Sequence, residues 1–115
     1  MSCLAILAVT AAMIVDGDTV RTSGANIRLT GAGNVPYDTP ETWKPQCRSE
    51  ARLGALATGT VRGLMPGAVC IIGRGNGGYG RDLGVLYTAD GRDVGDVLLS
   101  RGLARRSKNA DWCGG

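Results

Sequence analysis

Two short turns, Asp16-Gly17-Asp18 and Ser23-Gly24-Ala25-Asn26, interrupt a stretch dominated by β-branched residues: Ile14, Val15, Thr19, Val20, Thr22 and Ile27. Side chains branched at Cβ suit a pleated surface, while Gly, Asp and Asn supply turn conformations. Residues 15–29 therefore read as two strands. The apolar run before them, residues 4–15, resembles a signal peptide in apolarity but lacks a basic leading segment and flows straight into the Asp-Gly-Asp turn. We read it as a buried first strand, too short to span a membrane, which completes a three-stranded meander.

Residues 30–45 are rich in Gly, Pro, Asn and Thr and read as a loop, long enough in a compact domain to suggest function. Residues 47–64 are helical by periodicity, with Leu53, Leu56, Ala57, Thr60, Val61 and Leu64 on one stripe. Gly54, Gly59 and Gly63 lower its intrinsic propensity, so tertiary packing must hold it. A strand over 68–72, a five-glycine loop over 73–80 and a strand over 83–88 follow. Asp90-Gly91 then turns into a short helix over 93–101, with Val94, Val97 and Leu98 facing inward and Gly102 stopping it.

The 115 residues form one domain, 1–115, long enough to bury about two thirds of the unfolded surface. Five strands, a helix after the third and a short helix after the fifth describe a mainly β, α+β chain. That pattern fits a Greek-key barrel of the oligonucleotide-binding type, the OB-fold. Phe is absent, so the core must come from Leu, Val, Ile, Ala and a few aromatics.

No histidine occurs, which removes imidazole bases, histidine triads and histidine zinc sites together. Cys3, Cys47, Cys70 and Cys113 are too dispersed for a zinc cluster; the even count fits either two disulfides in an exported protein or four buried thiols. The formal charge is +3: residues 1–58 carry five acids and five bases, residues 59–115 five acids and eight bases. The run Arg101, Arg105, Arg106, Lys108 reads equally as a solvated helix end or a phosphate-binding patch. In Asp38-Thr39-Pro40-Glu41 the proline stiffens the loop and holds two carboxylates close together, an arrangement suited to a metal or a water-activating base. The same residues could cap the helix that follows.

The segments Val15-Asp-Gly-Asp-Thr-Val20, Asn26-Ile-Arg-Leu29, Asp38-Thr-Pro-Glu41, Tyr79-Gly-Arg81 and Gly102-Leu-Ala104 follow one another in the order found in the staphylococcal-nuclease-like (thermonuclease) family. The resemblance covers residues 5–105. It implies a Ca²⁺-dependent nuclease, a hydrolase of DNA and RNA phosphodiester bonds leaving 3′-phosphates. Asp18 and Asp38 would ligate the cation with the backbone carbonyl of Thr39, an oxygen-only set suited to Ca²⁺. Glu41 would be the general base, and Arg28 and Arg81 would grip the reacting phosphate through their planar guanidinium groups. Tyr79, Arg105, Arg106 and Lys108 would contact the nucleic acid substrate, single-stranded DNA or RNA.

The chain departs from the family pattern at four places, one of them Gly77-Gly78, where relatives often carry a charge just before Tyr79-Gly-Arg81. The stretch between Arg28 and Asp38 is longer, which leaves open whether Asp38 reaches the same cation as Asp18. The tyrosines that contact the nucleotide beyond Gly-Leu-Ala are replaced by Ser107, Lys108 and Asn109, and a third helix is reduced to Trp112-Cys113. These departures sustain an alternative: a catalytically weak or inactive OB-fold module that binds nucleic acid or a protein partner. The family's architecture also implies Cys3–Cys70 and Cys47–Cys113 pairing, one of three connectivities. A monomer without membrane contact, secreted or periplasmic, is the expected form.

Overall fold

The computed structural model describes residues 3–107 and 109–114. Six strands, β1 (Ala5–Val9), β2 (Ile14–Asp16), β3 (Thr19–Arg21), β4 (Asn26–Leu29), β5 (Gly67–Gly73) and β6 (Asp82–Thr88), form one mixed sheet. Two helices complete the α+β fold, α1 (Arg48–Leu64) and α2 (Val94–Ser100). The strand order is β1-β5-β6-β4-β3-β2. β4 and β6 run parallel, and the other neighbours are antiparallel.

The expected single strand over residues 4–15 is two strands. β1 pairs with β5 at one edge of the sheet and β2 with β3 at the other, so the run must turn a corner, which it does through the 3-10 turn Ala11–Met13. The sheet accordingly curls into a half-barrel. Nor is the first strand buried throughout. Ala5, Leu7 and Val9 turn inward, while Leu4 and Ile6 are 63% and 70% exposed, because successive side chains of an edge strand point to opposite faces.

The curled sheet and both helices enclose a core of Val9, Ile14, Val20, Ile27, Leu29, Val69, Ile71 and Leu86 from the strands, with Ala57, Val61, Val94 and Leu98 from the helices. Each fully buried aliphatic side chain contributes about 1.5–3 kcal/mol. α1 buries Glu50, Gly54, Ala57, Thr58 and Val61, whereas Leu56, assigned above to its apolar stripe, is exposed. Within that stripe Gly54 sits against the main chain of Pro40 and Glu41, where a Cβ would find no room. Asp93 caps α2 by accepting from the Gly95 amide.

Disulfides join Cys3 to Cys70 and Cys47 to Cys113, the pairing that the resemblance implies. Their sequence separations of 67 and 66 residues correspond to about 4 kcal/mol each in a chain-entropy account. Two disulfides suggest an oxidising compartment. Among the described residues no helix is long and apolar enough to cross a membrane.

Candidate functional site

Strand register begins the site. In β4 Ile27 and Leu29 are buried, so Arg28 points to the opposite face, and the β3–β4 pairing sets it opposite Thr19, next to Asp18. Its guanidinium then spans three groups: Nη1 lies 2.7 Å from Asp18 Oδ2, and Nη2 donates to the Tyr37 carbonyl at 2.7 Å and lies 3.8 Å from Asp38 Oδ1. Asp18 and Asp38 therefore both lie within reach of the Arg28 guanidinium, despite the lengthened stretch between Arg28 and Asp38. Gly17 explains how the two loops meet, since a Cβ there would lie 2.8 Å from Thr39 Cγ2.

The additional residues fold back on themselves through a Gly31–Val35 bridge, with the Ala32 amide donating to Asp93 Oδ2 at 2.8 Å. Tyr37 then plunges into the core, 1% exposed, and its hydroxyl donates to the Gly17 carbonyl at 3.2 Å. The loop over 30–45 is thus anchored at its middle. Asp38 pairs backbone to backbone with Arg105, at 2.9 and 3.0 Å, and its Oδ2 accepts from the Ala110 amide and Trp112 Nε1.

Glu41 is exposed beyond this cluster. Its amide donates to Glu50 Oε2 at 3.1 Å, and Glu50 Oε1 accepts from the Gln46 amide, so one buried carboxylate at the start of α1 ties both ends of residues 41–46. Cys47 is the N-cap, its sulfur accepting from the Glu50 amide.

Burial governs the protonation of the acids. Asp18 is pushed up to about 7, first by burial and then by its hydrogen bond to and the charge of Asp16, with Arg28 opposing. Asp38 is raised by burial, against the amide of Ala110 and the indole of Trp112. Glu41 is raised by burial and by the charges of Asp18, Asp38 and Glu50, again against Arg28. Two carboxylates with raised pKa at one arginine, Asp18 and Asp38, form the kind of electrostatic environment found at functional sites.

A cavity of ≈ 580 Å³ opens beside the cluster, lined among others by Arg28, Leu29, Tyr37, Gly78, Arg81 and Asn109. Arg81 is held by its Nε donating to the Gly78 carbonyl at 3.0 Å. Arg28 and Arg81 thus reach one cavity, and Arg28 connects it to Asp18 and Asp38. Tyr79, with φ of 55°, is 101% exposed, its ring 5.8 Å from the Arg81 guanidinium. Arg105 stacks on Trp112 at 4.4 Å and Arg106 pairs with Asp96 at 3.2 Å, so both have partners within the chain. Lys108 lies outside the described residues.

An oxygen-loving cation fits this donor set on one observation. Asp18 Oδ2 is buried and makes no hydrogen bond within the chain; its close polar neighbour is Arg28 Nη1, an ion-pair contact at 2.7 Å. The remaining donors for such an ion would be Asp38 Oδ1 and the Thr39 carbonyl. Among the described residues no three His, Cys, Asp or Glu side chains cluster as ligands. Any such site consists of two carboxylates and main-chain oxygen.

Sequence reasoning missed Glu50, Tyr37, Gly54 and Trp112. Glu50 was legible, lying three residues after the N-cap in the manner of a capping box. Nothing local marks the other three, whose roles depend on partners far along the chain.

The chain matches no known family model and no curated protein.

Proposed function

We propose that the protein is a Ca²⁺-dependent phosphodiesterase that hydrolyses single-stranded nucleic acid. The observation that carries this reading is the reach of Arg28, which contacts both Asp18 and Asp38 and lines the same cavity as Arg81. Two guanidinium groups at one cavity suit a phosphodiester, each able to donate paired hydrogen bonds to its oxygens. Asp18, Asp38 and the Thr39 carbonyl would hold the Ca²⁺, which supplies charge neutralisation at the phosphate. Glu41 takes the proton from water as the water oxygen attacks phosphorus, and the phosphorus bond to the leaving oxygen breaks, the departing oxygen taking up a proton from solvent water. Its raised pKa suits that role, because a base closer to neutrality accepts the proton more readily. Arg28 and Arg81 offset the negative charge that develops on the phosphate.

The topology supports the five-strand Greek-key OB barrel as the finer description of the fold. Taking β1 and β2 as halves of one bent strand makes that strand a neighbour of both β5 and β3. The two disulfides favour a secreted or periplasmic protein.

A second reading has its own observation. Arg28 already neutralises Asp18 at 2.7 Å, as it would in a barrel that binds nucleic acid without cutting it. Incubation with single-stranded DNA in Ca²⁺ and in EDTA separates the two. We expect Ca²⁺-dependent cleavage that falls about 10²–10³-fold in Glu41→Gln. Binding without cleavage above that variant would instead establish the module.

A further inference from the structure

The tail that follows Arg105 has no role in the reading above, yet it reaches into the acidic cluster. Trp112 is 6% exposed and lies 74 residues from Asp38 in sequence; its Nε1 donates to Asp38 Oδ2 at 3.2 Å. The Ala110 amide donates to the same oxygen at 3.1 Å. Neither donor touches Oδ1, the oxygen turned toward Arg28. The tail is itself secured. Arg105 stacks on the indole and its Nη1 donates to the Asp111 carbonyl at 2.6 Å, while Asp111 Oδ1 accepts from the amides of Cys113 and Gly114 at 2.9 and 3.0 Å. Cys113 is bonded to Cys47 at the start of α1.

We infer that residues 109–113 form a strap that orients the Asp38 carboxylate for cation binding, with Trp112 as the positioning residue. The inference rests on the cation site proposed above. Two donors on one oxygen fix the rotation of a carboxylate about its last bond, which leaves the other oxygen on the side of the Arg28 guanidinium that also contacts Asp18. Partners of this kind behind a metal ligand typically change affinity by about 10–100-fold. The hydrogen bonds come from a distant, covalently anchored segment, so the orientation of Asp38 does not depend on its own loop alone. The Cys47–Cys113 bond also joins the strap to the helix start where Glu50 holds the Glu41 amide, which couples the settings of the cation ligand and the base.

The test uses the full oxidised chain and Trp112→Phe, which keeps an aromatic ring but has no N–H. Calorimetric titration with Ca²⁺ should give a Kd about 10–100-fold weaker in the variant, with a melting temperature in EDTA lower by the several degrees that the loss of one buried hydrogen bond entails. Equal affinity overturns the inference. A separate readout in Ca²⁺-free protein is hydrogen exchange of the Trp112 indole N–H, followed by NMR against the exposed Trp43 as an internal reference. Slow exchange that accelerates at least about tenfold in Asp38→Ala supports the strap; exchange as fast as that of Trp43 overturns it, also where Trp112→Phe fails to fold. If the wild-type chain binds no Ca²⁺, the cation site falls and with it the strap's role in binding, whereas the indole exchange still decides whether the strap holds Asp38.

Discussion

Gly54 of α1 lies directly against the main chain of Glu41: a Cβ at position 54 would come within 2.6 Å of the Glu41 carbonyl oxygen. In an exposed helix, alanine would be favoured over glycine by about 1 kcal/mol. Here the opposing atom is backbone and cannot rotate away, so Gly54→Ala must move either the helix or the loop. We expect cleavage to fall about 10²-fold, as a misplacement of about 1 Å does, with the circular dichroism spectrum retained. Full activity in this variant would mean that the position of Glu41 is not set by α1.

Tyr37 anchors the long loop by filling the core and donating to the Gly17 carbonyl. Tyr37→Phe keeps the ring and leaves that carbonyl unpaired, at a cost of about 1–3 kcal/mol in urea unfolding. Tyr37→Ala adds a cavity and should cost about 3–5 kcal/mol. Gly95, where a Cβ would lie 2.9 Å from the Tyr37 ring, should tolerate alanine poorly for the same reason.

The pH dependence follows from Asp18. Its folded-state pKa of about 7 lies above the ordinary aspartate value of 3.8, so the folded protein holds the proton more tightly than the unfolded chain. Its stabilising contribution is complete below the unfolded value and is lost as pH rises toward 7. With no histidine in the chain, few other side chains titrate in that window. In EDTA the melting temperature should therefore fall between pH 5 and pH 8, by a stability difference of about 1–3 kcal/mol, and Asp18→Asn should flatten the profile. Saturating Ca²⁺ should oppose the trend, because the cation binds the ionised acids.

Removing Arg28 should hurt most at high pH. Arg28→Ala leaves Asp18 buried without its countercharge, which we expect to cost about 3 kcal/mol at pH 8. At pH 5 Asp18 carries a proton with or without the arginine, and the loss should be smaller. Paired denaturation curves at the two pH values check this; equal losses would mean that Arg28 acts through packing rather than charge.

The β-branched runs and their turns placed β3 and β4 from residues 15–29, the periodic stripe placed α1, and Gly102 marked the end of α2. These are local preferences, decided within a few residues. What escaped was non-local. The break between β1 and β2 arises because one run must pair with both edges of a curled sheet, and Leu56 is exposed because the face that α1 turns inward is the one carrying Gly54, Ala57, Thr58 and Val61. The five candidate segments were visible as segments, yet their spacing left the reach of Asp38 open.

Sequence by itself therefore determined the inventory: acids on two stiff turns, arginines on a strand and a glycine-rich loop, four cysteines and no imidazole. Only the tertiary structure decided that Asp18 and Asp38 meet across one guanidinium, that Arg105 stacks on Trp112, and that the C-terminal tail holds the Asp38 carboxylate. The physical reason is range. Turn and strand preferences act between neighbours, whereas burial, ion pairing and close approach at Gly17 and Gly54 depend on segments that come together only when the sheet curls and α1 packs against it.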